Sequence, residues 1–179
     1  ARLNSDGSLD QDFDIGTGAD LVVNAIALQP DGRVVVVGDF AHFNSVPLRG
    51  IARLNADGSI DESFNPGGGF NDSVRLVEVQ EDGRILVGGF FTEFNGVVRN
   101  RVARLMPDGS LDGTFDVGAG ANGSVYSMAV QSDGKILVGG SFSTFNNLNR
   151  SGIVRLNPDG SVDTGINFGT GANGSVLDI

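Results

Sequence analysis

Few residues of this chain have the side-chain chemistry that catalysis or metal binding requires. His42 is its only histidine, and it has no cysteine. A catalytic triad or an imidazole metal site needs further partners, and the sequence places none beside His42. Without cysteine there is no thiol nucleophile, thiolate metal site or disulfide. We therefore interpret His42 as a solvated loop residue, and we predict no catalytic, metal-binding or cofactor-binding residue.

Carboxylates are abundant, so a two-carboxylate glycosidase is the enzymatic alternative. The chain has 22 Asp and Glu residues against 12 Lys and Arg residues, for a net charge of −10. Nearly all the aspartates recur at turn positions, where Asp favours the turn itself. A single active site needs residues that do not recur. The acids that do not recur are Asp20, Asp39, Glu62, Asp72, Glu78, Glu81, Glu93 and Asp178. No spacing singles out two of them, and we predict that the chain is not an enzyme.

The loop Asn4-Ser5-Asp6-Gly7 and its later copies offer oxygen ligands beside a glycine. Calcium-binding loops have this character, but they add alternating acidic ligands and a distal bidentate glutamate. Those residues are missing here, so the pattern indicates a structural turn without a metal.

The strongest pattern in the chain is an internal repeat of 51 residues. The segment QEDGRILVGGFF at Gln80–Phe91 has counterparts at Gln29–Phe40 and Gln131–Phe142. An Arg-Leu-Asn/Met motif keeps the same spacing, beginning at Arg2, Arg53, Arg104 and Arg155, and Asp-Gly-Ser follows each copy. Repetition at this period is typical of solenoids and propellers, in which each unit packs against its neighbours.

Each repeat predicts four short antiparallel strands joined by tight Asp-Gly turns. A three-residue loop at Ser5–Gly7 places Arg2 opposite Asp10 and Leu3 opposite Leu9. The turn at Pro30-Asp31-Gly32 places Leu28 opposite Val34. The run that follows is apolar on both faces, which indicates a strand covered on both sides. A loop of about ten residues then leads to the next Arg-Leu-Asn strand. No stretch has helical periodicity.

Four strands per repeat predict an all-β fold, a β-propeller of 51-residue four-stranded blades with about 3.5 blades in this chain. We predict blades near 20–65, 71–116 and 122–167, with partial blades at 1–14 and 171–179. Recurring phenylalanines are interpreted as packing between blades rather than as a platform for sugars or bases. The recurring Arg–Asp pairs are interpreted as fixing hairpin register, with a ligand clamp as the alternative. The phenylalanines stand at Phe13, Phe64, Phe115, Phe40, Phe91, Phe142, Phe43, Phe94 and Phe145.

The stretch Arg104–Asn146, RLMPDGSLDGTF…GANGSVYSMAVQSDGKILVGGSFSTFN, resembles the delta-60 repeat. That family is similar to β-propeller repeats of large secreted or surface-exposed bacterial proteins. The resemblance covers the whole chain and implies no activity, because no catalytic or cofactor residues are generally assigned to the repeat. The first copy departs from the pattern, with Val37-Gly38-Asp39 where the others have a diglycine.

The repeat and the missing catalytic residues predict a non-enzymatic scaffold or adhesion module, and the resemblance implies a location at the outside of a bacterial cell. Its contacts would come from the loops that differ between copies, at 41–49, 92–100 and 143–151. The alternative is a glycan-binding or glycan-processing propeller. The acidic charge disfavours nucleic acid, and no apolar run is long enough for membrane insertion. A protein or a glycan partner is left open. Because 3.5 blades do not close a ring, we expect further blades or a second copy to complete it.

Overall fold

The computed structural model describes all 179 residues, and their regular secondary structure is entirely β-strand. None of its segments forms an apolar helix of membrane-spanning length. The strands are β1 (Val23–Leu28), β2 (Val34–Gly38), β3 (His42–Phe43), β4 (Val46–Pro47), β5 (Ile51–Leu54), β6 (Val74–Val79), β7 (Ile85–Gly89), β8 (Glu93–Phe94), β9 (Val97–Val98), β10 (Val102–Leu105), β11 (Val125–Val130), β12 (Ile136–Gly140), β13 (Thr144–Phe145), β14 (Leu148–Asn149) and β15 (Ile153–Leu156).

Three equivalent antiparallel sheets make up the body of the molecule, and they are consistent with the predicted propeller blades. Their strand orders are β1-β2-β5, β6-β7-β10 and β11-β12-β15, named here blades 1, 2 and 3. The predicted pairing of Leu28 with Val34 is confirmed. Gly32 of the intervening turn has φ 83°, a left-handed conformation that glycine adopts without steric cost.

Each blade has two ends of different character. The Asp-Gly turns after β1 and β5, and their equivalents, lie at one end, named here the turn face. The longer connections that follow β2, β7 and β12 lie at the other end, named here the loop face. The first strand of each blade begins at the loop face.

The fourth strand of each blade is shorter than predicted. It is reduced to a single bridge, Leu54 to Ile60 in blade 1, with Leu3 to Leu9 forming the corresponding bridge near the start of the chain. The reason lies in the next residue, Asp61, whose carboxylate accepts hydrogen bonds from the backbone N–H and the hydroxyl of Ser63. That local turn competes with the sheet ladder for backbone groups and ends the pairing.

The predicted ten-residue loop after β2 contains a small hairpin, β3–β4, and blades 2 and 3 repeat it as β8–β9 and β13–β14. The two residues of the first turn, Asn44 and Ser45, have φ 49° and 64°. This is the backbone of a two-residue hairpin turn, which favours Asn and Gly. Asn95-Gly96 between two apolar residues is the sequence signal for this hairpin, and a plain loop was the wrong prediction here.

The apolar core lies between the blades. One cluster joins Val35 and Ile51 of blade 1 to Phe91 and Phe94 of blade 2. A second joins blade 2 to blade 3 in the same way, through Leu86. The phenylalanines that follow the second strands are almost completely buried, which confirms that they pack. Those buried rings are Phe40, Phe43, Phe91, Phe94, Phe142 and Phe145.

The first strand of every blade has a β-bulge at its second residue. In blade 1, Val23 pairs with Gly38 and Ala25 with Val37, which leaves Asn24 without an opposite residue. Arg75 and Tyr126 occupy the same position in blades 2 and 3. The bulge forces glycine on the facing strand, because a Cβ at Gly38 would lie 2.1 Å from the carbonyl oxygen of Val22.

One face of blade 1 is uncovered. Ile26 and Leu28, on β1, are 67% and 73% exposed. The counterparts of Ile26 in the other blades, Val77 and Met128, are each only 6% exposed because the preceding blade covers them. The uncovered face is thus chemically equivalent to an internal contact between blades.

Candidate functional site

The recurring Arg–Asp pairs are structural. Arg53 Nε lies 2.7 Å from Asp61 Oδ2, with both side chains buried, and its guanidinium stacks on Phe64 at 4.8 Å from the ring centroid. Arg53 also donates to the carbonyl oxygen of Pro107 in the next repeat. Burial alone would raise the pKa of Asp61, but hydrogen bonds from Ser63 and Arg53 outweigh it and lower the pKa. The geometry supports the register interpretation, since these groups are fully occupied by one another.

The basic residues divide into two populations. Seven form ion pairs with carboxylates, and all seven belong to the outer hairpins or the turn face. The other five form no ion pair, and all five lie at the loop face. The paired set is Arg2, Arg33, Arg53, Arg84, Arg104, Lys135 and Arg155, and the unpaired set is Arg49, Arg75, Arg99, Arg101 and Arg150. In a chain with 22 acidic residues, this segregation makes the loop face the distinctive surface.

The β-bulge directs side chains that differ between the copies toward the loop face. Bulges commonly reorient side chains in this way beside functional sites. Asn24 at the first bulge donates from Nδ2 to Asp39 Oδ1 at 2.8 Å and to the carbonyl oxygen of Val74 at 2.9 Å. Arg75 at the second bulge donates from Nη1 to Asn24 Oδ1 at 2.9 Å. The bulged residues of blades 1 and 2 are therefore joined directly.

The aromatic rings extend this chain of contacts to blade 3. The Arg75 guanidinium lies 4.5 Å from the centroid of Phe90, and Phe90 meets Tyr126, the third bulged residue, edge-to-face at 5.9 Å. The Arg75 Nε atom is buried and has no hydrogen-bond partner. Arg75 is thus held in place through Asn24 and Phe90 while part of its guanidinium stays unused.

A cleft of about 490 Å³ opens between blades 1 and 2 beside this arginine. Its polar lining includes Arg49, Arg75, Asp39, Asp72 and Ser73. Arg49 is exposed, and its side chain makes no hydrogen bond or ion pair. The cleft therefore combines two arginines that have donors to spare with two carboxylates.

The charge on Asp39 is stabilised inside this cleft. A hydrogen bond from the Ser73 hydroxyl lowers the pKa of Asp39, and the Asn24 amide and the Arg75 charge lower it further. Ser73 and Asn24 both donate to Oδ1. The second carboxylate oxygen, Oδ2, is left to accept hydrogen bonds from outside the protein.

His42 has a partner that the sequence did not indicate. Its Nδ1 lies 2.9 Å from Asp20 Oδ2, and the backbone N–H groups of Ala41 and His42 donate to Asp20 Oδ1. These hydrogen bonds, with that from the His42 backbone N–H the largest cause, lower the pKa of Asp20. The imidazole is otherwise solvent-exposed, as predicted, but His42 lies in β3 and not in a plain loop.

An Asp–His pair is also part of catalytic triads, but the arrangement here matches a loop cap. Asn71 and Asn122 occupy the Asp20 position in blades 2 and 3, and each accepts the same two backbone hydrogen bonds. Ser45 lines the same cavity as His42 but makes no hydrogen bond to it. Asp20 therefore has the role of the recurring asparagine, with His42 added.

The remaining non-recurring acids are distributed over both ends of the molecule. Asp39 and Asp72 share the loop-face cleft, whereas Glu78 and Glu81 line a turn-face cavity of about 810 Å³ between blades 2 and 3. Partial burial raises the pKa of Glu78. In the Asn4–Gly7 loop, Asp6 Oδ1 accepts from both the N–H and the hydroxyl of Ser8, as expected for a structural turn.

The loop-face network was missed at the level of the sequence because a bulge leaves no mark in hydrophobic periodicity. A signal was nevertheless present: one repeat position carries three chemically unlike residues, Asn24, Arg75 and Tyr126. The next position also differs, with Ala25, Leu76 and Ser127, so the divergence marks the stretch that contains the bulge.

Comparison with protein families agrees with the architecture. A family model described as a domain of unknown function (DUF5122) beta-propeller matches residues 1–13, 29–64, 80–115 and 131–165, which is more than half of the chain. No curated protein matches the chain. The matched segments contain the Arg–Asp hairpins and the apolar second strands, and the chain therefore belongs to the DUF5122 β-propeller family.

Proposed function

We propose that this chain is a non-enzymatic scaffold or adhesion module of a secreted or cell-surface bacterial protein, and that it contacts its partners through the loop face. The observation that carries the proposal is the segregation of basic residues. All five arginines without a carboxylate partner lie at that face, whereas the recurring side chains are occupied within the fold. Arginine is enriched in the energetically dominant parts of protein interfaces.

The loop face also presents apolar side chains at the tips of the small hairpins. Val46, Val97 and Leu148 occupy the same repeat position, and each is at least 40% exposed. Three similar tips at a constant spacing give an extended surface with repeated contacts, as repeat proteins use for macromolecular partners. This surface supports a macromolecular partner more directly than a small substrate.

The test compares two variants that remove the same amount of charge. The loop-face variant combines Arg99→Ala and Arg150→Ala, and the turn-face control combines Arg33→Ala and Arg84→Ala. Fluorescently labelled chains are applied to intact bacterial cells and to a glycan array. We expect the wild type and the control to be retained and the loop-face variant to be lost. Equal retention of both variants, or none for the wild type, contradicts the proposal.

We also propose that another blade, from further repeats or a second copy, covers the uncovered face of blade 1. The 67% exposure of Ile26, whose counterparts Val77 and Met128 are each only 6% exposed, supports this. Light scattering of the wild type and of Ile26→Glu tests it. Association of the wild type that the substitution abolishes is expected for a second copy. If the wild type is monomeric, a second copy is excluded, and further repeats remain the proposed cover of this face. A wild-type monomer that is stable and also fails to bind further repeats supplied separately contradicts both forms of the proposal.

A further inference from the structure

The cleft between blades 1 and 2 has the chemistry of a small-molecule site that is separate from the exposed hairpin tips. We propose that it binds the carboxylate of a small polar ligand that also carries hydrogen-bond donors, as an acidic sugar or an amino acid does. Arg49 and Arg75 would bind the carboxylate, and the carboxylates of Asp39 and Asp72 would accept the ligand's hydroxyl or ammonium hydrogens. The proposal goes beyond the scaffold function and does not require it.

Arg75 is held in a fixed position at the cleft, with donors left over. Its guanidinium is fixed by stacking on Phe90 and by one hydrogen bond to Asn24 Oδ1. Its Nη2 makes no hydrogen bond within the fold, and Arg75 lines the cleft, so this nitrogen has donors left for a ligand. An arginine positioned in this way is pre-organised, so that little side-chain freedom is lost when an anion binds.

Arg49 supplies the second positive charge. It lines the same cleft and is free of carboxylate partners. The corresponding residues of blades 2 and 3 are Asn100 and Ser151, so this arginine is not part of the recurring architecture. Two arginines beside one cavity suit a planar carboxylate, which can accept two parallel hydrogen bonds from a guanidinium.

The acidic residues of the cleft restrict the ligand further. Asp39 uses Oδ1 for Asn24 and Ser73, and Asp72 uses Oδ1 for the backbone N–H of Ser73. One oxygen of each carboxylate is left to accept hydrogen bonds. These two charges would repel a phosphate or a polyanion more strongly than a single carboxylate, because its negative charge is larger. A ligand with one carboxylate and several donors can satisfy both kinds of group.

The rings at the cleft do not offer a stacking surface for a neutral sugar. Phe40 and Phe70 are buried, and the Phe90 ring is already in contact with Arg75 and Tyr126. Recognition through polar groups is therefore the chemistry that the cleft provides.

Four probes distinguish the contribution of the ligand's carboxylate from that of its hydrogen-bond donors. Each probe is titrated into the protein, and binding is followed by NMR through the backbone amide resonances of residues 38–41 and 71–73. D-galacturonate and glycine each carry a carboxylate and donors, acetate carries only the carboxylate, and D-galactose carries only the hydroxyls. We expect saturable shifts with galacturonate or glycine, and at least about tenfold weaker binding of acetate and galactose. Galacturonate binding alone assigns a sugar acid, and glycine binding alone assigns an amino acid. No saturable binding, or equal binding of acetate, overturns the proposal.

Arg49→Ala tests the site, and Arg150→Ala is the matched control because it removes another unpaired loop-face arginine outside the cleft. We expect about tenfold weaker binding of the effective probe by Arg49→Ala and no change for the control. Because the Arg49 side chain is exposed and makes no hydrogen bond or ion pair within the fold, Arg49→Ala is expected to remain folded. Equal weakening by both variants would indicate a non-specific charge effect and would overturn the assignment.

The outcomes are independent of those for the proposed scaffold function. A chain that is retained on cells but binds no probe contradicts only the cleft. A chain that binds a probe at the cleft but is not retained on any surface contradicts only the scaffold function.

Discussion

Arg53 and Asp61 face each other across the outer hairpin of blade 1, with 2.7 Å between Nε and Oδ2, and both side chains are buried. Asp61 is also held by Ser63, and Arg53 reaches the turn of the next repeat at Pro107. The pair thus fixes the register of its own hairpin and joins one blade to the next. The stability of the assembled blades is expected to depend on it.

Removing Arg53 should destabilise the fold strongly, because the buried Asp61 then keeps only Arg33 as a charged partner, whose Nε lies farther away at 3.4 Å from Oδ2. Arg53→Ala is expected to lower the free energy of unfolding by up to about 3–5 kcal/mol. Arg2→Ala breaks the equivalent pair at Asp10, where the arginine is 40% exposed, and is expected to cost about 1 kcal/mol or less. Urea denaturation of both variants measures the difference. Equal losses would mean that burial does not govern the strength of these pairs.

Acid should destabilise the protein through its aspartates. The hydrogen bond from Lys135, then the Gly165 backbone N–H and Arg155, lowers the pKa of Asp163 from 3.8 to about 2. Because the folded-state pKa is lower than the unfolded one, the contribution is complete above pH 3.8. It is lost as the pH falls from there to about 2. Melting temperature measured against pH should fall in that range, and Asp163→Asn should flatten part of the fall. A variant with the unchanged wild-type profile would exclude Asp163 as a contributor.

The glycines opposite the bulges should not tolerate a side chain. A Cβ at Gly140 would lie 2.1 Å from the carbonyl oxygen of Ser124, so Gly140→Ala must displace backbone. We expect a loss of at least about 1–3 kcal/mol, as for overpacked cores. Gly113→Ala is the control, since nothing lies within 4 Å of its Cβ position, and should stabilise by about 0.4–1 kcal/mol. Thermal melting of the two variants distinguishes them, and similar melting temperatures would contradict the bulge geometry.

The departure of the first copy from the diglycine pattern has a packing explanation that can be tested. Val37 pairs with the small Ala25, whereas Gly88 pairs with the large Leu76. A Cβ at Gly88 would lie 2.9 Å from Val125 Cγ1 in blade 3 and 3.2 Å from the Leu76 side chain, so Leu76 is one of two side chains that a larger residue would meet. Each of these two blades therefore has one large and one small residue at this pair of positions. The large residue is Val37 on the second strand of blade 1 and Leu76 on the first strand of blade 2.

Giving blade 2 the small and large residues of blade 1, by Leu76→Ala and Gly88→Val together, should cost less stability than the sum of the two single substitutions. We expect Leu76→Ala and Gly88→Val each to be destabilising. The double variant should recover about 0.5–3 kcal/mol relative to the sum of the two losses. A double-mutant cycle in urea measures this coupling energy, and additive losses would show that the two positions do not compensate.

The fold could be predicted from the sequence because its determinants are local and repeated. The Asp-Gly turns and the apolar second strands are sufficient to predict the pairing of Leu28 with Val34, which the structure confirms. The fourth strand is shorter than the hairpin pattern predicts, because Asp61 is more than a cross-strand partner: its Oδ1 accepts a hydrogen bond from the Ser63 N–H and turns the chain. The bulge and the Asp20–His42 contact depend on backbone register and on the folding of a loop, which single-residue patterns do not describe.

The bulge has a further consequence for how the chain can vary. Its backbone is held by neighbouring strand pairs and by the glycine opposite, so its geometry does not depend on which side chain it carries. Asn24, Arg75 and Tyr126 show that an amide, a cation and a phenol are all accommodated. Each blade thus has one position whose side chain can change chemical class without a change in backbone geometry, and in blade 2 that residue, Arg75, lines the cleft.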